Sequence, residues 1–146
     1  LQQRHDLANQ HNNLAILMRV SGRPAKAEPN YREAIRLLKE LADEYPAVPS
    51  YRYDLANARD NLAITLVALG KLPEAESLHR SALTDKVALA TAYPDLPDYV
   101  VSVAGNRCNL ANVLARIGRI DEAVAEAIAA PFPPDSDVTK NVYINY

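Results

Sequence analysis

Few side chains in this 146-residue chain could do acid–base, nucleophilic or metal chemistry, and their spacing keeps them apart. His5, His11 and His79 are the only histidines. None is followed three or four residues later by another His, a Cys or a carboxylate, the spacing that sets two ligands on one helix face. Cys108 has no neighbouring His and reads as a small, partly buried hydrophobe, not a nucleophile. Asp43-Glu44 closes one predicted helix and Asp121-Glu122 opens another, so solvated helix ends account for both carboxylate pairs. Gly22, Gly70 and Gly118 stand singly, 48 residues apart, and form no phosphate-cradling loop. No catalytic residue, metal set or cofactor is expected within residues 1–146.

The asparagines are a different matter, and the elements that carry them explain why. Asn13-Leu14-Ala15 recurs as Asn61-Leu62-Ala63 and Asn109-Leu110-Ala111 at an interval of 48 residues. Ala27, Ala75 and Ala123 keep that interval, as do Ala34, Ala82 and Ala130. Tyr45-Pro46 recurs as Tyr93-Pro94, Pro49 as Pro97, and Tyr51 as Tyr99. Such a period marks a repeat protein, whose units each need a neighbour to bury their apolar face. Units of 1–48, 49–96 and 97–130 follow, with 131–146 as a tail resembling nothing upstream.

The second unit shows the construction. Leu55, Leu62, Leu66 and Leu69 fall at helical spacing, and Gly70 ends the helix in the left-handed conformation that glycine adopts without strain. Pro73 suits the first turn of the next helix, whose apolar face holds Ala75, Leu78, His79, Ala82, Leu83, Leu89 and Ala90 until Pro94 stops it. Ser50 and Asp98 are the expected N-caps of the helices that follow the linkers. The chain is therefore all-α, with helices predicted near 1–21, 24–45, 51–69, 73–93, 99–117 and 121–130. Pro131-Phe132-Pro133-Pro134 breaks the third unit, and residues 131–146 read as extended or disordered. The short last helix leaves Leu110, Leu114, Ala123, Ala127 and Ile128 without their usual cover. That face is expected to meet Phe132 and Tyr143 of the tail or to self-associate with another chain.

Composition limits the partners. A net charge of −2 gives no long-range attraction to nucleic acid or anionic lipid. No apolar run approaches the ~20 residues that span a bilayer. A lone cysteine fits a reducing, cytoplasmic setting. The chain starts with Leu1 and not Met, which predicts that the native N-terminus lies further upstream and leaves export open.

The order Leu62-Ala63, Leu66, Gly70, Ala75, His79, Ala82 resembles the tetratricopeptide repeat signature. Tyr31 fills its aromatic slot in the first unit, while His79 and Ala127 depart from it. The common unit is roughly 34 residues, so this period is long. It is similar to the long repeats of kinesin light chain, on Asn12 to Ala15, Gly22-Arg23 and Glu74 to Glu76, and to bacterial arrays attached to serine/threonine kinases. The resemblance implies an α-solenoid of three helix-turn-helix repeats in a right-handed superhelix. It also implies a packed core role for His79 and a concave groove lined by the first helix of each unit.

On those helices lie Asn9, Asn12, Asn13, Asn57, Asn61, Asn106, Asn109 and Asn112. A carboxamide both donates and accepts, so it can grip a peptide backbone. Alternatively Asn13, Asn61 and Asn109 bond the neighbouring helix and hold the stack together. Beside this ladder the inward positions vary: Asn12, Asp60, Cys108; Ile16, Ile64, Asn112; Arg19, Val67, Ala115; Val20, Ala68, Arg116. The expected partner-binding face comprises Asn9, Asn12, Asn13, Ile16, Arg19, Asn57, Asp60, Asn61, Ile64, Asn109, Asn112 and Arg116. Lys and Arg are too few at these slots for the carboxylate clamp of chaperone-binding members. A non-catalytic scaffold that binds a protein or peptide through its concave face is the leading expectation. A regulatory or substrate-recruiting segment of a larger enzyme, such as a bacterial serine/threonine kinase, is the alternative.

Overall fold

The computed structural model of the protein describes residues 2–130; the expectations for Leu1 and for the tail 131–146 lie outside the described residues. Six helices follow one another: α1 (Gln2–Val20), α2 (Pro24–Glu44), α3 (Pro49–Ala68), α4 (Leu72–Ala92), α5 (Pro97–Arg116) and α6 (Ile120–Ala129). No strand occurs among the described residues. Each helix packs chiefly on its sequence neighbours, with lighter contact of α1 on α3 and α3 on α5. Among the described residues α1 and α2 touch neither α5 nor α6, so the array is open and not a closed bundle.

The punctuation is chemical. Gly22, Gly70 and Gly118 have φ of 74°, 75° and 86°, and each ends its helix with the same two bonds. Arg23, Lys71 and Arg119 N–H donate to the carbonyls of Met18, Leu66 and Leu114, while the glycine N–H groups reach Arg19, Val67 and Ala115. This paired closure satisfies carbonyls that a helix end leaves open and needs a residue at ease with positive φ. Between units, Tyr45 and Tyr93 close the preceding helices and accept from Val48 and Leu96 N–H.

Helices α3 and α5 begin at Pro49 and Pro97, two residues earlier than the sequence suggests, and Val48 and Leu96 stand at their N-caps without a side-chain bond. Ser50 and Asp98 therefore lie inside the first turn and are not caps. Proline has no N–H to leave unsatisfied and a φ already set for a helix, so the helix starts on it.

The apolar interior falls into three clusters, and the central one joins the units. Ala15, Ala27, Tyr31, Leu62, Ala63, Leu66, Ala75 and Val113 pack together in that central cluster. Burying each leucine stabilises the array by about 1.5–3 kcal/mol relative to exposure. Leu62 and Leu110 are 1% and 0% exposed, whereas Leu14, one period earlier on the outer face of α1, is 44% exposed. Among the described residues α1 packs only on α2 and α3, so no helix covers its other side.

At the other end the expected uncovered face needs correction. Leu110, Leu114 and Ala123 are buried, because Leu83, Ala111 and Ile117 pack around them. The residues left open are Ile120, Val124 and Ile128, with Ile128 80% exposed, and Ala127 beside them. Val124 and Ile128 stand one period after Glu76 and Arg80. They thus occupy the ridge formed by the second helices, not the core seam.

Candidate partner-binding site

The first helices of the three pairs, α1, α3 and α5, lie along one side and line an open hollow of about 530 Å³. Asn12 of α1, Asn57, Asn61 and Ile64 of α3, and Val101, Ser102, Gly105 and Asn109 of α5 line it. Residues 57 and 61, like 105 and 109, are four apart and so share one helix face. The base is made by Asp60, Lys86 and Asn106.

Six of the expected residues meet here: Asn12, Asn57, Asp60, Asn61, Ile64 and Asn109. The others lie elsewhere. Asn9 sits 3.4 Å from His5, Ile16 packs on the core, and Arg19 Nε points to the Tyr31 hydroxyl at 3.5 Å. Asn13 and Arg116 are exposed and Asn112 is half-buried. Lys86, Val101, Ser102, Gly105 and Asn106 were not among the expected set. Lys86 carried a readable signal: it continues the buried stripe Ala75, His79, Ala82 of α4, where a charge without a partner would be very costly.

That partner is Asp60. Its carboxylate accepts from Lys86 Nζ and from Asn106 Nδ2, and lies 2.7 Å from His79 Nδ1. Asp60 and Lys86 are only 6% and 4% exposed. Four side chains from three helices thus form one buried polar network, in which Asp60 is the hub. One atom is left out: Asn106 Oδ1 is buried with no hydrogen-bond partner. Above this floor, Asn61 Nδ2 donates to Asn12 Oδ1 at a long 3.4 Å, joining the second unit to the first. A tie between units is what the stack-holding reading of Asn61 requires, and it leaves the carboxamide's acceptor side out of that bond.

The other chemically capable groups are absorbed by structure. His5 Nε2 lies 2.7 Å from Asp54 Oδ2 and its ring packs edge-on against Tyr51. His11 Nδ1 is 3.0 Å from Asn30 Oδ1. Glu76, one turn before His79, is engaged by Arg80 and Arg119. Burial pushes the Cys108 thiol up, which disfavours the reactive thiolate. Among the described residues no three His, Cys, Asp or Glu side chains gather as a metal site would require. A second hollow, of about 480 Å³ between α2, α3 and α4, contains charges that answer one another, with Arg52 and Arg59 both on Asp85.

Stacked helix pairs of one period, with a polar hollow on the first-helix side, define a helical repeat protein. Two tetratricopeptide repeat models match it, one at residues 55–89 across α3 and α4, the other at 107–127 across α5 and α6. The two matches support the tetratricopeptide repeat family for this array. No curated protein matches the chain. Repeats of this family are generally protein–protein interaction modules and typically non-catalytic. Among the described residues no helix is long and apolar enough to cross a membrane.

Proposed function

We propose that this chain is a non-catalytic binding module that holds an extended segment of a partner protein against α1, α3 and α5. The observation that carries the reading is the convergence of Asn12, Asn57, Asn61 and Asn109 on one hollow. Carboxamides that both donate and accept can match the alternating N–H and C=O groups of an extended peptide without selecting its charge. The volume fits a short stretch of peptide, within the ~300–1,000 Å³ range of ordinary ligand clefts.

The test uses the full 146-residue chain as bait for a displayed library of random nine-residue peptides. Peptides are expected to be enriched, and to lose affinity for a chain carrying Asn57→Ala, Asn61→Ala and Asn109→Ala. A chain altered on the exposed side of α2, at Glu33→Ala and Arg36→Ala, is expected to bind as before. Equal binding by the triple variant would remove the carboxamide face as the site.

A further inference from the structure

The base of the hollow holds more polarity than helix packing requires. One period earlier, the positions of Asp60, His79, Lys86 and Asn106 are held by Asn12, Tyr31, Leu38 and Ala58. Tyr31, Leu38 and Ala58 are almost fully buried, so the same kind of junction closes there with apolar side chains. Buried ion pairs are often replaceable by well-packed apolar groups at no loss of stability. The second network is therefore not explained by the need to join two units.

Its geometry points outward from Asp60. A carboxylate can only accept, so the Asn106 amide turns its Nδ2 toward Asp60 and its Oδ1 away. That oxygen is then held, buried and without a partner, in a residue that lines the hollow. Beside it in the chain is Gly105, inside α5, where glycine is the poorest helix former after proline. A Cβ there would meet nothing within 4 Å, so close packing does not demand the glycine. The corresponding residues of the other units are Asn9 and Asn57.

Building on the binding face proposed above, we infer that this hollow selects an uncharged hydrogen-bond donor on the bound peptide. The donor is a Ser or Thr hydroxyl or an Asn or Gln carboxamide, seated over Gly105 and donating to Asn106 Oδ1 once a small shift of that buried side chain brings the oxygen to the surface of the hollow. Charged groups of either sign are disfavoured. Neither an anion nor a cation finds a free counter-charge there, so either would lose its hydration without an ionic partner. Asp60 and Lys86 answer each other, which leaves no net charge at the base. An apolar group would leave the buried oxygen unpaired, the arrangement that costs most.

Peptides selected as above are labelled, and their affinity for the full chain is read by fluorescence anisotropy. Each peptide position is replaced in turn by Ala, Asp, Lys and Leu. One position is expected to require Ser, Thr, Asn or Gln and to lose about tenfold on replacement, the worth of one hydrogen bond. Two variants of the chain should abolish that preference. One is Gly105→Leu, which fills the hollow and favours the helix. The other is the set Asp60→Asn, His79→Tyr, Lys86→Leu and Asn106→Ala, which installs the residues of the preceding junction and is expected to melt no lower than the parent. A preference for charged or apolar residues at every position would overturn the inference, as would unchanged selectivity in Gly105→Leu. Either result leaves the carboxamide-face reading standing, because that reading falls only if the triple asparagine variant binds normally. If the library yields no peptide, both fall together.

Discussion

The two inter-unit junctions are alike on the outside and unlike within. On the outer ridge Glu28 is bridged by Arg32 and Lys71, and Arg32 also reaches Glu74. One period later Glu76 is bridged by Arg80 and Arg119, and Arg80 reaches Glu122. Inside, the first junction packs Leu37, Leu38, Leu55 and Ala58, while the second holds Asp60, His79, Lys86 and Asn106. Ridge charges in fixed register can align two helix pairs whatever fills the space between them. The interior is thus released from alignment and can take on a specialised chemistry.

The strongest test of that contrast removes one member of the inner network. Asp60→Ala leaves Lys86 buried without its counter-charge, and uncompensated buried charges of this kind cost about 3–5 kcal/mol. The corresponding change one period earlier, Asn12→Ala, removes only a long bond to Asn61 and should cost well under ~1 kcal/mol. Urea unfolding of both variants measures the difference. Equal losses would mean that the two junctions are energetically the same. Concerted replacement of the quartet should instead be neutral or stabilising, by up to about 4 kcal/mol.

A second difference separates the units themselves. Helix α2 contains Pro29 beyond its first turn, where the matching residue of α4 is Ser77. Proline there has no N–H for the Ala25 carbonyl and crowds it as well. Pro29→Ala is expected to raise stability by up to about 3 kcal/mol, read as a higher thermal midpoint. Ser77→Pro in α4 is expected to cost a similar amount. No gain from the first change would mean that α2 already accommodates its proline through the surrounding packing.

Most of the array is legible in the chain because its punctuation uses residues with few alternatives. Gly22, Gly70 and Gly118, the proline pairs, and the leucine and alanine stripes each admit one placement, and helix ends fall within two residues of expectation. Gly70→Ala tests this, with an expected loss of about 1–2 kcal/mol for a side chain forced to φ 75°. The site was less legible. Half of the expected face assembles, but Asn106, one of the first-helix asparagines left off that face, and Lys86 are joined to it only through Asp60, in contacts spanning 46 and 26 residues. Periodicity places a residue on a helix face and says nothing of a partner on another helix. Gly105 is missed for a different reason: its contribution is the space that it leaves.

The smallest expected effect concerns the ridge, and it tests whether the outer halves of the junctions are equivalent. Lys71 and then Arg32 hold the Glu28 carboxyl below the usual range, and Arg119 and then Arg80 do the same for Glu122. A folded-state pKa lowered from an unfolded value of 4.5 stabilises the fold above that pH. The contribution is lost as pH falls through the depressed folded value. The cations are about half exposed although the glutamates are shielded, so a double-mutant cycle on Glu28 and Lys71 should give about 1 kcal/mol or less at neutral pH. It should shrink further in 1 M salt, where the screening length is about 3 Å. The cycle on Glu76 and Arg119 is expected to have the same sign and the same salt response, since both glutamates are similarly shielded. The coupling should weaken as pH falls below 4.5 and through the depressed folded value of Glu28. A coupling undiminished in acid, or one present at a single junction, would break the equivalence and make the ridge as specialised as the interior.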